Sequence, residues 1–257
     1  MKFVIIAVTA FFTSGLTLFS GFGVGMLLLP AFVLFFPIDL AVGLTAIVHF
    51  LNNLFKLTLL GKYANRHIVL LFGLPAIPAA FVGANSLLWF SDMQPFLSFA
   101  VGSHVFVMTP IKTIIAVLMV LFALVEMTKK LESFTINKKL LPVGGLLSGF
   151  FGGLSGHQGA IRSAFLLKSG LQKESFIGTG VMISCLVDVT RIFVYSSRYM
   201  IQFTNDNMTL LMTAVLAAFS GVFFGSRLLK KVTMRVVQVI VAVMLFTIAV
   251  GLGFGLI

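Results

Sequence analysis

Polar chemistry is concentrated where hydrocarbon would be expected. The segment GGLSGHQGAIRSAF, residues 152–165, sets His157, Gln158 and Arg162 among Gly153, Gly156 and Gly159 inside a long apolar run. An arginine within a bilayer costs roughly 2.5–3.5 kcal/mol on insertion scales, so it calls for a polar cavity around it. Glycines permit a chain break and close approach of backbone to a ligand. A half-helix that ends inside the membrane leaves unpaired N–H groups and a partial positive charge, which suits an anion. Gln158 and Arg162 share one face once the outgoing helix has begun. The first half carries a similar break, SGFGVGMLLLP, with Gly21, Gly23, Gly25 and Pro30. The alternative use of such glycines is tight helix packing. That is the reading for Gly15, Gly43 and Gly145, whereas the 152–162 cluster is read as cavity lining.

Two further apolar segments repeat a polar pair at i,i+3: Asn53 with Lys56, and Asp188 with Arg191. Asp188 and Arg191 either serve a ligand or neutralise each other. Lys56, with no carboxylate within a turn, either lines the cavity or snorkels to a basic face. His49 lies one turn before Asn53 and is either a packed polar residue or a proton carrier. Lys56, Arg162 and Arg191 outnumber Asp188, so the cavity is expected to be positive and selective for anions. A metal or proton-coupled cation site would need clustered Asp and Glu, so neither a metal nor a cofactor is expected.

These residues must be held by membrane-spanning elements. Of 257 residues only 10% are charged, the mean hydropathy is +1.13, and apolar stretches recur at roughly 3–36, 40–60, 68–90, 96–126, 141–167, 174–195, 208–226 and 236–256. The expected fold is an all-α polytopic membrane protein with no separate soluble domain. The formal charge of +11 falls mostly in short loops, so the partners implied are the lipid bilayer and a small anion, not nucleic acid. Cys185, within a span, excludes an intramolecular disulfide. The N-terminal apolar stretch continues to Phe36 without a clear cleavage site and is read as retained.

The chain divides into a first repeat (1–126), a polar linker (127–139) and a second repeat (140–257). AVGLTAIVHFLNNLFK (41–56) overlays FIGTGVMISCLVDVTR (176–191), pairing Gly43 with Gly178, Asn53 with Asp188 and Lys56 with Arg191. The stretches 3–36 and 141–167 are each either one tilted span or two half-helices, since a helix rises ~1.5 Å per residue across a core of ~30 Å. Charge decides between them. With single crossings the loop cations divide evenly between the two faces. With a hairpin in each half, the cations of loops 62–66, 129–139, 168–173 and 227–235 share one face, against Lys2, Lys112 and Arg198 on the other. The positive-inside rule therefore favours hairpins. Each repeat becomes a broken, re-entrant hairpin plus three transmembrane helices, the second repeat inverted, with the linker cytoplasmic and both termini outside. Inverted repeats with discontinuous helices are a common architecture of secondary transporters.

Two other function classes compete. GLSG (153–156) fits the serine motif of a rhomboid-like intramembrane protease, but no histidine follows residue 157 to serve as its base. A scaffolding subunit would lack large loops through which to hold partners.

The two motifs SGFGVGMLLLP and AVGLTAIVHFLNN, the latter with its G-x-T segment, resemble those of the TauE/SafE transporters, often labelled sulfite exporters, over essentially the whole chain. The resemblance implies four-segment repeats and passage of sulfite, sulfonates or other small sulfur-containing anions across the inner cell membrane. Gly21, Gly23, Gly25 and Pro30 match the first break motif, and Gly153, Gly156 and Gly159 the second. The chain departs from the pattern at His157-Gln158, where many members have glycines, and at Ser163, where proline is common. His157 is accordingly expected to shape selectivity as a hydrogen-bond donor. The expected site unites these residues with Asn53, Lys56, Gln158, Arg162, Asp188 and Arg191, in a carrier and not an enzyme.

Overall fold

The computed structural model describes all residues except 21–23, 102–103, 128–137, 168, 200–204, 229–233 and 257, and for some residues within the elements it describes the backbone alone. Helices α1 (Lys2–Ser20) and α2 (Val24–Val33) flank the first glycine-rich break; Gly21 and Gly23 themselves lie outside the described residues. Helix α6 (Leu141–Ser155) ends at Gly156, whose φ of +79° is left-handed and whose N–H bonds to the Gly152 carbonyl at 3.0 Å. Glycine meets that conformation without a Cβ penalty. The next helix, α7 (Gln158–Leu167), returns alongside α6: Ser148 Oγ donates to the Gln158 carbonyl at 3.0 Å, and Gly144 lies against the Phe165 ring. The 141–167 stretch is therefore two half-helices folded back on each other and not one tilted span.

Helices α3 (Ile38–Leu60), α4 (Arg66–Ser91), α8 (Lys173–Tyr199) and α9 (Asn205–Leu228) each contain a segment long and apolar enough to cross a membrane. Helix α4 widens to i→i+5 bonding over Val69–Gly73, just before Pro75 and Pro78. A proline supplies no N–H and its ring crowds the preceding turn, which accounts for the local rearrangement. Helices α5 (Pro110–Met127) and α10 (Met234–Gly253) complete the two halves.

One apolar stretch folds otherwise than expected. The run 96–126 was read as a single span, yet its first part forms an antiparallel hairpin of β1 (Leu97–Val101) and β2 (His104–Met108), and the helix begins only at Pro110. LSFAV and HVFVM are rich in β-branched and aromatic residues and are separated by Gly-Ser, a hairpin signal. Phe99 and Phe106 are direct cross-strand partners and stack at 5.0 Å.

Helices from the first and second parts of the chain pack on one another. Helix α1 packs on α9 and α4 on α6, while α3 packs on α8 and α5 on α10. Gly178 near the start of α8 meets Leu60 at the end of α3, whereas Asp188 meets His49, so α3 and α8 run antiparallel. The α4–α6 seam is built from Gly145, Gly149 and Gly153, which face Phe72, Ala76 and Ala80. A Cβ at any of the three would lie 2.1–2.2 Å from a carbonyl oxygen of α4. Small residues at every fourth position allow such backbone contact. Gly145 is thus a packing glycine, as read from the sequence. Gly153, assigned there to the anion site, sits in the same seam, where its missing side chain lets Ala80 approach. At the far end of α8, Arg198 donates to Asp92 and holds that exposed carboxyl below the usual carboxylate range.

Candidate functional site

Helix α3 buries His49, Asn52, Asn53 and Lys56, spaced to share one helical face. Helix α8 presents Ser184, Asp188, Arg191 and Tyr195 with the same periodicity, and all four are buried. The antiparallel crossing turns these two polar faces toward each other, and α7 adds Gln158 and Arg162 from its first turns.

Asp188 is the hub. Its Oδ2 lies 2.6 Å from His49 Nδ1 and accepts from Asn53 Nδ2 at 3.3 Å. Its Oδ1 accepts from Gln158 Nε2 at 3.1 Å and from Arg191 Nε at 3.0 Å. Four donors from three helices thus converge on one fully buried carboxylate, as a buried charge requires. Asp188 and Arg191 do neutralise each other in part, since Arg191 Nη2 is 2.8 Å from Oδ1. That nitrogen contacts the carboxylate as an ion pair and has no hydrogen-bond partner among the described residues.

A narrow crevice opens beside the hub, lined by polar Thr17, Asn53, Lys56, Arg162 and Ser163 together with apolar Leu166, Phe176, Ile177 and Val181. Lys56 Nζ donates to Thr17 Oγ1 at 3.1 Å, and its side chain is 3% exposed, so it does not snorkel. Among the described residues no carboxylate lies within ion-pair reach of Lys56. Arg162 Nη1 donates to Gln158 Oε1 at 3.2 Å and to Ser184 Oγ. The crevice therefore presents ammonium, guanidinium, hydroxyl and amide groups that can all donate, alongside apolar side chains. Such a lining matches the oxygens of an anion.

Gly25, near the start of α2, meets the Gly156 turn next to this network. A Cβ on Gly25 would lie 3.5 Å from the Gly156 carbonyl and 3.7 Å from His49 Cδ2, and one on Gly156 would lie 2.8 Å from Arg191 Nη1. Gly159 is buried in the first turn of α7. His157 is set apart from the crevice: its ring stacks on Phe122 at 5.2 Å, and its Nδ1 lies 3.1 Å from the Ser155 carbonyl and 3.0 Å from Ser155 Oγ. Its Nε2 has no hydrogen-bond partner among the described residues.

Sequence reasoning missed Thr17, Ser184 and the direct His49–Asp188 contact. Ser14 and Thr17 repeat at i,i+3 on the otherwise apolar α1, a signal that could have placed the first of them. Ser14 Oγ in turn donates to Asn52 Oδ1 at 2.6 Å.

The family model of the sulfite exporter TauE/SafE matches residues 5–252. The chain belongs to the TauE/SafE family. Membership makes it a multi-pass membrane protein of a transporter family of the sulfite or anion type. Neither the curated proteins nor the solved structures offer a match.

Proposed function

We propose that this TauE/SafE protein is a secondary carrier for a small sulfur-containing anion, sulfite or an organosulfonate, working by alternating access between two inverted repeats. The observation that carries the reading is the pairing of Lys56 and Arg162 on one buried crevice, with no described carboxylate against Lys56. Counting formal charges, Lys56, Arg162 and Arg191 face Asp188, which leaves a net positive interior for an anion to balance. The apolar side chains of Leu166, Phe176 and Val181 on the crevice favour an organosulfonate, whose hydrocarbon part they would cover, over a fully hydrated inorganic ion.

The packing of helices from the two parts of the chain on one another, and the antiparallel α3 and α8, support the inverted arrangement: a two-fold axis that swaps two antiparallel spans lies in the membrane plane. The positive-inside distribution then sets the linker and the 62–66 loop inside. On a Cys185→Ser background, Lys62→Cys should be protected from an impermeant thiol reagent applied outside, and Gln94→Cys modified. The reverse labelling pattern would overturn the orientation.

Ligand-induced stabilisation tests the anion reading. Purified protein should be stabilised by methanesulfonate, sulfite or taurine and not by choline or sodium alone, by about 2.7 kcal/mol at a hundredfold excess over Kd. No stabilisation by any anion would leave the cations with a structural role and refute the proposal.

A further inference from the structure

The polar network extends beyond what anion binding requires. A crevice that holds an anion needs Lys56, Arg162 and their neighbouring donors. It does not need a buried carboxylate in contact with an imidazole beside it. Yet His49 Nδ1 lies 2.6 Å from Asp188 Oδ2, with side chains 1% and 0% exposed, and Asn53 both touches that pair and lines the crevice.

We propose that His49 and Asp188 form the proton-binding site that couples anion movement to protons, one proton accompanying each anion. The inference rests on the anion-carrier reading above. Asp188 accepts from His49, so the shared hydrogen belongs to Nδ1 and the basic nitrogen is Nε2, which faces Asn53 Nδ2 at 3.3 Å. The coupling step is protonation of Nε2 to give an imidazolium paired with Asp188. No covalent bond other than N–H forms, and the proton returns to water on the opposite side.

The charges around His49 give the sign of the coupling. Asp188 and Arg191 approach it from α8, and Arg162 acts on it from α7. Asn53 lies one turn along α3 with Lys56 beyond it, and α2 brings the backbone of Gly25 close to its ring. With an empty crevice, another positive charge on His49 is opposed by its burial and by Arg191 and Arg162, and supported by the Asp188 carboxylate. An anion between Lys56 and Arg162 changes that balance and favours the proton. Linkage makes the effect reciprocal, so a protonated His49 tightens the anion site. The bridge is Asn53, which donates to Asp188 and also lines the crevice.

The experiment uses the full chain in proteoliposomes and methanesulfonate as probe, because a sulfonate stays ionised across the pH range and cannot itself carry the proton. An inward acid gradient should accelerate uptake, and a pH-sensitive dye should report protons entering with the anion. Affinity should rise about tenfold on going from about pH 8 to about pH 6. His49→Gln, which keeps an N–H toward Asp188 but takes no proton, should abolish the gradient effect and the dye signal. It should retain methanesulfonate exchange, which requires a folded carrier and no net proton transfer. Persistence of proton movement in His49→Gln would overturn the proposal, as would wild-type uptake without protons. Should His49→Gln lose exchange as well, mixing the wild-type protein with methanesulfonate in weakly buffered detergent gives the answer: proton uptake on binding supports the site, and its absence refutes it. Failure of the wild type to bind or exchange any anion would instead refute the carrier reading, and this inference with it.

Discussion

Arg162→Ala is expected to reduce anion uptake by at least about a hundredfold while leaving an inserted, folded protein. Removing one side of a buried, hydrogen-bonded charge contact to a ligand costs about 2–5 kcal/mol, and the guanidinium has no nearby substitute on α7. The side chain is 4% exposed and lines the crevice with Lys56, so its loss halves the cationic lining. It also frees Gln158 Oε1 and Ser184 Oγ, two small polar groups that can rearrange without leaving a charge unpaired. Arg162→Lys keeps the charge without the planar fork and should transport weakly. Uptake of methanesulfonate into proteoliposomes, normalised to protein that elutes as a single species, measures both variants. Wild-type uptake by Arg162→Ala would reassign the residue to structure.

Asp188→Ala should act on stability first, lowering it by about 3–5 kcal/mol, because Arg191 would be left fully buried without its counter-charge. The same change removes the acceptor for His49, Asn53 and Gln158. The double variant Asp188→Ala with Arg191→Met should be more stable than Asp188→Ala alone, since the uncompensated charge is gone. Thermal unfolding of the three proteins in one detergent would show this order. If the double variant were the least stable, the ion pair would contribute net stability and the cluster would not be held for function.

The parts of this site that were legible in the sequence are those written in local spacing. A helix break inside an apolar run needs glycine, so the helical hairpin of α6 and α7 could be expected from Gly153, Gly156 and Gly159 before any coordinates. Asn53 with Lys56, and Asp188 with Arg191, lie on one helical face because of the 3.6-residue turn. The 96–108 run was not legible in the same way, because a short apolar segment satisfies both helix and strand patterns until its Gly-Ser turn is given weight.

The sequence by itself determined a multi-pass membrane protein of glycine-broken helices with an excess of buried cations, since hydropathy, glycine content and charge are additive along a chain. The tertiary structure decided which of these groups meet. His49 and Asp188 are separated by 139 positions, and Lys56 and Thr17 by 39, so their contacts depend on the register of helices packed face to face. It also divided the glycines: Gly156 turns the chain and Gly25 approaches that turn, whereas Gly149 and Gly153 bring α4 and α6 together. A glycine has no side chain to distinguish these uses. The difference lies entirely in what occupies the space its Cβ would have filled.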